Sequence, residues 1–428
     1  MKKVLFHTLG CKLNQAETSQ IAELWRRAGI AEPVGMEPAA PDIVFINGCA
    51  VTDKAAAKTR HAAARLAREH PQAVVIVGGC AGQSQPEDFS SIAGVAKVIG
   101  VKERFYVDWI REIKDLENLP ITIEGGGDDF LPAERGRRSR AILKIQDGCD
   151  QRCAYCIIPS LRGGCRSLPR ERALSAAAGL LADGAQEVVL TGVRIGAWGV
   201  DLPGKPLLSE LVLELADMPG MGRLRLGSLE PWELNERIIR LVCEHPRVCG
   251  HLHIPLQHTH PEVIRRMGRP PLEDALNQME RLKVRENNLG LGGDILVGFP
   301  GETDEEFACL IEDLKRLPFT YLHVFRFSPR PGTTASVMSG RVDENAMKRR
   351  SRIVLEIAAE KRREFARRQL GRTHPSVPDR PVSTRDWVLA VADNYAKIRI
   401  PASGVIPGKV TPVTVIRFNG KYLTGEIA

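Results

Sequence analysis

The sequence predicts an α/β protein in three parts: an amino-terminal parallel α/β sheet domain, an open (βα)6 partial barrel and a small carboxyl-terminal β-barrel. Apolar strand-like runs alternate with helical patterns over most of the chain, as is typical of parallel sheets covered on both faces. One polar, glycine-rich stretch interrupts this alternation, and short β segments replace it near residue 370. The chain of 428 residues is also too long for one compact core.

The first unit, which we assign to residues 1–115, contains the strand-like runs VLFHTLGC, DIVFINGC and AVVIVGGC. Helical patterns separate them, from about Asn14 to Gly29 and from about Lys54 to His70. Carboxyl ends of parallel strands share one edge of a sheet, where open α/β sheets bind ligands. We therefore expect convergence of the cysteines that end the three runs, Cys11, Cys49 and Cys80. The alternative is that these are three small buried core residues.

The second unit, residues 139–368, follows a polar segment, EGGGDDFLPAERGRRSR, that we interpret as a linker ending in the basic cluster Arg135, Arg137, Arg138 and Arg140. Its strand candidates are AILKIQDGC, EVVLTGV, RLRLGSL, HLHIPLQ, GGDILVGFP and YLHVFRFSP. Repeated βα units close, or partly close, into a barrel whose working residues lie at the carboxyl ends of the strands. Six units predict a barrel that stays open on one side.

The last part, residues 369–428, follows a basic helix predicted from Lys348 to Arg368. Its β segments are DWVLAV, YAKIRI and TPVTVIRFNGKYLTGEI, the last with an Asn419-Gly420 hairpin signal. We interpret the preceding THPSVPDRP as a proline-rich lead-in. The basic helix either presents a solvated face or belongs to a surface that binds a polyanion.

Composition and charge narrow the class of protein. The net charge of +8 and the pI near 9.0 suit a polyanionic partner, although many basic proteins bind no nucleic acid. No apolar run approaches the roughly 20 residues that span a bilayer, and MKKVLFHTLGCK lacks the pattern of a secretory signal, so we expect a cytoplasmic protein without a membrane partner. In that reducing compartment, ten cysteines favour metal binding or catalysis over disulfides.

The segment CDQRCAYC places three thiols, at Cys149, Cys153 and Cys156, just after the first strand of the second unit. A structural zinc site needs four closed ligands, and this segment supplies no fourth. Such a tight loop suits three corners of a [4Fe–4S] cubane, with one iron left free. A zinc site is the alternative, completed by one of the histidines at His251, His253, His258 or His260.

Tyr155, the aromatic residue just before the last cysteine of this triad, completes a signature that resembles the radical S-adenosylmethionine superfamily. Within that superfamily, the chain resembles the methylthiotransferases over nearly its whole length. The segments that carry the resemblance are TLGCKLNQAE, NGCAVTDKAAAKTR, GGCAGQ, LKIQDGCDQRCAYCIIPSLRGGCRS, VVLTGVRIGAWG, HLHIPLQ, DILVGFPGET and HVFRFSPRPGT. TLGCKLNQ is similar to the branch that modifies threonylcarbamoyl-adenosine beside the tRNA anticodon.

The resemblance implies two [4Fe–4S] clusters, one held by Cys149, Cys153 and Cys156 with S-adenosylmethionine on the free iron, and one held by the amino-terminal triad. It also implies a carboxyl-terminal TRAM domain that binds RNA. The implied partners are a tRNA anticodon loop, an electron donor such as flavodoxin or ferredoxin, and a sulfur donor. Candidate contacts for S-adenosylmethionine, beyond the cluster ligands, are Tyr155, Gly192, Asp294 and Gly298.

Two other functions remain as alternatives: a methylthiotransferase for another tRNA adenosine or for a ribosomal protein, and a non-catalytic, zinc-containing RNA-binding protein. The chain also departs from the family pattern. QHTHPEV places His258 and His260 where small residues are usual, and NGCAVT has Gly48 and Ala50 where threonine is commoner. We assign no role to the remaining thiols, Cys165, Cys243, Cys249 and Cys309.

Overall fold

The computed structural model describes residues 1–32, 40–113, 116, 127, 129–130, 139–285, 288–380 and 386–428. Most of the predicted linker, including Arg135, Arg137 and Arg138, lies outside the described residues, whereas Arg140 lies within them. A search of the described helices finds none that has both the length and the apolarity to cross a bilayer.

The amino-terminal part is a four-stranded parallel sheet in the order β1-β2-β3-β4. Its elements are β1 (Val4–Thr8), α1 (Lys12–Arg27), β2 (Ile43–Gly48), α2 (Asp53–Glu69), β3 (Val74–Gly79), α3 (Cys80–Ser84), α4 (Pro86–Ser90) and β4 (Val95–Val98). Trp25 of α1 packs with Phe45 on one face of the sheet, and Leu66 of α2 packs with Val44 on the other. The two covered faces confirm the prediction from continuous apolar runs. The fourth strand was not predicted, because VAKV is short and only partly buried.

Six parallel strands then form the partial barrel, in two three-stranded sheets of order β5-β8-β9 and β10-β11-β12. Single bridges, Leu224 to Val248 and Ser228 to His253, connect the two sheets. This arrangement confirms the open barrel. Its elements are β5 (Ala141–Lys144), β6 (Gln146–Asp147), α5 (Ile158–Arg162), β7 (Arg166–Ser167), α6 (Arg170–Ala182), β8 (Glu187–Thr191), α7 (Leu208–Asp217), β9 (Arg223–Arg225), α8 (Glu236–Glu244), β10 (His251–Gln257), α9 (Pro261–Arg266), α10 (Glu273–Arg285), β11 (Gly290–Val297), α11 (Asp304–Arg316) and β12 (Tyr321–Arg326).

The helix α12 (Glu344–Arg368) leads into a closed five-stranded barrel of order β13-β14-β15-β17-β16. Its strands are β13 (Thr373–Pro378), β14 (Trp387–Ala392), β15 (Lys397–Pro401), β16 (Thr411–Phe418) and β17 (Leu423–Ile427). The predicted hairpin is confirmed, since β16 pairs antiparallel with β17 around Asn419-Gly420.

The interpretation of THPSVPDRP as a lead-in was wrong, because most of it is strand β13, paired with β14 and β16. Pro375 lies opposite Pro412 in the ladder, and their carbonyl oxygens accept from the Asp393 and Ala428 amides at 3.0 Å each. Pro378 ends the strand. Sequence reasoning gave the prolines too much weight as strand breakers.

The carboxyl-terminal barrel is fixed to the partial barrel by two arginines of β9. Arg223 donates to the carbonyl oxygens of Pro375 and Val391, and Arg225 donates to those of Ala392 and Asp393 at 2.9 Å each. Buried Glu187 on β8 pairs with both guanidinium groups. The carboxyl-terminal barrel is therefore packed on the partial barrel through buried charge-assisted contacts.

Candidate functional site

The structure brings the three amino-terminal thiols together at one edge of the sheet, as predicted. Cys11 caps α1, Cys49 follows β2 directly, and Cys80 begins α3 after β3. Burial, together with the like charges of the nearby Cys11 and Cys80, raises the pKa of Cys49 to about 11. Gly10 has φ +111°, and a Cβ there would lie 2.6 Å from the Cβ of Cys49. Only glycine lets the β1–α1 turn approach Cys49 this closely.

The second predicted triad lies at the carboxyl end of the first barrel strand. The Cys149 amide donates to the Gly163 carbonyl at 3.0 Å, and the Cys156 amide donates to the Cys153 carbonyl at 2.9 Å. These bonds close the loop that carries the three thiols. Burial raises the pKa of Cys156 to about 12, and the neighbouring Cys153 and Cys149 also raise it. Deprotonation of these thiols therefore requires a compensating positive charge, such as bound metal.

The spacing of the thiols tests which metal group fits them. Within the described residues, the potential ligands whose donor atoms all lie within 4.8 Å of one another are His253, Asp294 and His323. All six cysteines are described, and neither triad belongs to a group of this kind, with or without a histidine. Tetrahedral zinc, with Zn–S bonds of about 2.3 Å, would hold sulfur atoms about 3.8 Å apart. Two sets of three thiols, each without a fourth ligand in such a group, fit three corners of a cubane better than a closed zinc site.

Tyr155, a predicted cofactor contact, belongs to a buried polar network at the rim of the partial barrel. Its hydroxyl accepts a hydrogen bond from Arg269 at 3.0 Å. The same guanidinium donates to Glu230 at 2.8 Å and to the Pro255 carbonyl at 2.7 Å, and it stacks over the Trp232 ring at 4.8 Å. Sequence reasoning missed Arg269 and Glu230, because they come from loops distant in sequence from the triad.

The other predicted cofactor contacts lie on the same barrel but do not form one cluster. A Cβ on Gly192 would lie 2.8 Å from the Gln146 carbonyl oxygen, so the glycine allows the chain to pass the segment before Cys149. Gly298 has φ +77° at the end of β11 and lies against Met347 of α12. Asp294, on the middle of β11, contacts two histidines of the neighbouring strands.

The two histidines determine the charge state of Asp294. Its Oδ1 lies 3.2 Å from His253 Nε2 and 3.0 Å from His323 Nδ1. Burial alone would raise the pKa of Asp294, but the two histidine contacts hold it below its ordinary value. The other ring nitrogen of His253 lies 2.9 Å from the Ser228 hydroxyl. Asp294 is therefore an ionised acceptor on the inner face of the barrel.

Arg162 connects the segment that carries the second triad to the amino-terminal triad, and sequence reasoning missed it. Its guanidinium donates to Glu17 of α1 and to Asp147 at 2.8 Å each, and to the Cys80 sulfur at 3.4 Å. Lys144 completes the network with contacts of 2.6 Å to Asp147 and 3.2 Å to Glu17. Arg162 lies six residues after Cys156, at the end of α5, so one peptide segment contributes to both sites.

The structure shows the surroundings of His258, one of the departures from the family pattern. His258 is buried, and its Nδ1 accepts from the His260 amide at 3.0 Å. Burial lowers the pKa of His258 to about 3, so the ring is neutral at pH 7. Its charged neighbours, Glu306, Arg266 and Arg350, lie on the surrounding helices rather than on the inner strand faces. Cys165 contacts Gln146, whereas Cys249 is fully buried.

Family models match two segments of the chain. Residues 3–100 match the uncharacterized protein family UPF0004, and residues 143–314 match the radical SAM superfamily. The first segment contains the amino-terminal triad, and the second contains Cys149, Cys153 and Cys156.

Similar proteins cover the chain from end to end. The threonylcarbamoyladenosine tRNA methylthiotransferase MtaB of Bacillus subtilis is 33% identical over 100% of this chain and 96% of its own length. The chain belongs to the radical S-adenosylmethionine methylthiotransferase family. The MtaB of Thermotoga maritima is likewise 33% identical to this methylthiotransferase, over 87% of this chain and 85% of its own length. A tRNA-2-methylthio-N(6)-dimethylallyladenosine synthase of Aquifex aeolicus is 27% identical, over 100% of this chain and 98% of its own length.

Among solved structures, the fold of this methylthiotransferase is similar to that of the radical S-adenosylmethionine methyltransferase TsrM from Kitasatospora setae. The TM-score is 0.55 at 13% sequence identity, over 79% of this chain and 77% of that chain. The similarity supports the radical SAM fold. The family implies S-adenosylmethionine and a [4Fe–4S] cluster as cofactors.

Proposed function

We propose that this methylthiotransferase transfers a methylthio group to carbon 2 of threonylcarbamoyl-adenosine beside the anticodon of tRNA. The pair of cysteine triads joined by Arg162 carries the proposal. Cys149, Cys153 and Cys156 would hold the cluster that binds S-adenosylmethionine, while Cys11, Cys49 and Cys80 would hold a second [4Fe–4S] cluster for sulfur delivery. The proposed domains are residues 1–115, 139–368 and 369–428. The names of the MtaB relatives support the choice of substrate.

Carbon 2 of adenine carries an unactivated C–H bond, for which a general base, worth roughly 10²–10⁴-fold, is insufficient. When bound, the reduced cluster with S-adenosylmethionine supplies radical chemistry. The protein's residues position the reactants. Arg269 and Glu230 hold the Tyr155 loop at the barrel rim, and Asp294 offers an ionised hydrogen-bond acceptor on the inner face. Arg162 keeps the two triads at a fixed separation.

A groove of about 790 Å³ supports RNA as the partner. It runs between α12, the edge strand β12 and the carboxyl-terminal barrel. Arg399 stacks between the rings of Trp387 at 4.1 Å and Tyr422 at 3.3 Å. Aromatic and arginine planes with adjacent positive charge bind unpaired RNA bases. Among the residues that the structure describes, the remaining basic side chains of the groove are Arg362, Arg363, Arg380, Lys397 and Lys421.

Nucleoside mass spectrometry of tRNA tests the proposal. A strain lacking this modification, given the gene, should accumulate 2-methylthio-threonylcarbamoyl-adenosine, and the Cys49→Ala and Cys153→Ala variants should not restore it. Accumulation of a methylthiolated isopentenyl-adenosine, or a methylthiolated ribosomal protein in the same cells, would reject the assigned substrate. We also propose a cytosolic location, where tRNA, a flavodoxin- or ferredoxin-type electron donor and a sulfur donor are available.

A further inference from the structure

A cavity of about 440 Å³ is lined in part by Lys12, the residue that follows Cys11 of the amino-terminal triad. One wall is the inner face of the partial barrel, formed by Ile142 and Val189, which are register partners on β5 and β8. The polar lining residues come from α1, from the start of β5 and from the carboxyl-terminal barrel: Lys12, Gln15, Ser139, Arg140, Asp379, Arg380 and Tyr395.

The charges around this cavity do not balance. Lys12, Arg140 and Arg380 line it, and among the described lining residues Asp379 is the one acidic side chain. Glu187 approaches Arg140 only at 3.9 Å, and it already pairs with the two arginines of β9. Arg140 Nη1 is buried and has no hydrogen-bond partner among the described residues. The cavity therefore offers positive charge and an unused donor to an anion.

Lys12 is the cation nearest in sequence to the cysteine triad. Its ammonium lies 5.4 Å from the Tyr395 ring centroid, and no carboxylate of the described part of the chain forms an ion pair with it. A cation held over an aromatic face keeps its N–H donors free for an anion. Tyr395 has φ +70°, a rare conformation for a residue with a side chain. Such local strain is typical of functional positions.

The cavity continues into the groove that we assign to RNA. Asp379, Arg380 and Tyr395 line both spaces. An adenosine turned out of an unpaired loop in the groove would therefore lie next to the cavity, with Tyr395 at the boundary of the two spaces. Turning a base out of an unpaired loop costs little stacking energy.

We propose that this cavity binds the carboxylate of the threonylcarbamoyl group through Lys12, Arg140 and Arg380, and thereby selects the substrate adenosine. The inference rests on the proposed function. An isopentenyl group is uncharged and apolar, so it would leave these cations without a partner. A site with buried polar groups rejects a substrate that leaves them unpaired more strongly than an apolar pocket rejects a wrong shape.

Binding of synthetic anticodon stem-loops tests the proposal, with three ligands that differ only at the target adenosine. One carries threonylcarbamoyl-adenosine, one its methyl ester and one plain adenosine. The anaerobically reconstituted protein should bind the free acid about tenfold more tightly than the ester, as expected for a charge-assisted contact. Lys12→Met, which keeps the side-chain length, should reduce this preference to within about twofold without changing the affinity for the ester. Lys58→Met, an exposed lysine on α2, is the matched control.

The outcomes separate the possible sources of the anion. An equal loss of affinity for all three ligands would assign Lys12 to a backbone phosphate and overturn the proposal, and so would an unchanged preference in Lys12→Met. If Lys12→Met loses iron, Arg380→Gln decides with the same ligands, because Arg380 belongs to the carboxyl-terminal barrel segment. Failure of the proposed function would look different, since the wild-type protein itself would then neither prefer the acid nor methylthiolate tRNA.

Discussion

At the scale of single residues, the buried charges around Arg162 connect the parts of the chain that carry the two candidate cluster sites. Glu17 and Asp147 are completely buried carboxylates, and each depends on cations for its ionised form. Arg162 serves both carboxylates and also contacts the Cys80 sulfur. Because α1 supplies Glu17 and the barrel supplies Asp147, the network acts between domains. Its loss is expected to affect both sites together.

Arg162→Met should lower the free energy of unfolding by about 3–5 kcal/mol, because it removes one partner from a buried ionic network and leaves two carboxylates undercompensated. Urea unfolding of the cluster-free chain measures this change. Arg65→Met, an exposed arginine on α2, should change the stability by no more than about 0.5 kcal/mol. Equal effects of the two substitutions would contradict the role assigned to Arg162.

Glu17 also predicts a dependence of stability on pH. Burial would raise its pKa, but Arg104, Arg162 and Lys144 together lower it to about 2. The folded state therefore binds the Glu17 proton less tightly than the unfolded state, whose pKa is about 4.3. The stabilisation is complete above the unfolded pKa and is lost as pH falls from there towards 2. The urea midpoint should decrease over this range, and Glu17→Gln should show a smaller decrease.

At the scale of elements, helix α12 and the carboxyl-terminal barrel together line the groove that we propose for RNA. α12 is the basic helix for which the sequence left a solvated face and a polyanion surface as alternatives. Arg362 and Arg363 of this helix line the groove, which favours the second. The hairpin at Asn419-Gly420 places Lys421 and Tyr422 at the same surface. Trp387, Arg399 and Tyr422, which we call the stacking platform, therefore come from three strands or turns that are well separated in sequence.

Trp387→Ala should weaken binding of the anticodon stem-loop by about tenfold, because base stacking on an aromatic ring contributes roughly 1–3 kcal/mol. Fluorescence anisotropy at several salt concentrations measures the affinity and its salt dependence. The salt dependence should stay nearly unchanged in this variant, whereas Arg363→Gln should reduce its slope by about one unit. Ile416→Ala, an exposed position on β16 outside the groove, is the control. Equal weakening by Trp387→Ala and Ile416→Ala would exclude the platform.

The sequence predicted elements whose patterns are local. The strands ending at Cys49 and Cys80 are continuous apolar runs, and α1 and α2 were predicted to within two residues at each end. β4 and β13 were not predicted, because one is short and partly exposed and the other contains prolines that only their partner strands make tolerable. The periodicity of a sequence carries no information about which strands pair with one another.

At the scale of the whole molecule, the three parts have separate apolar cores and are connected by charged and polar contacts. α1 contacts β5 through the network of Glu17 and Lys144, and Arg330 from the loop after β12 contacts Asp53 and the Ala50 carbonyl near Cys49. The arginines of β9 hold the third part. Cavities between parts, such as the one at Lys12, depend on these long-range contacts. The sequence could predict the thiols, but not the cations that face them.

Metal analysis of three anaerobically reconstituted proteins tests the central claim most directly. The wild type should contain about eight irons per chain, in two [4Fe–4S] clusters. A variant with alanine at Cys11, Cys49 and Cys80 should contain about four irons and still form 5′-deoxyadenosine from S-adenosylmethionine. A variant with alanine at Cys149, Cys153 and Cys156 should contain about four irons and form none. About four irons in the wild type, or zinc in place of iron, would contradict the account.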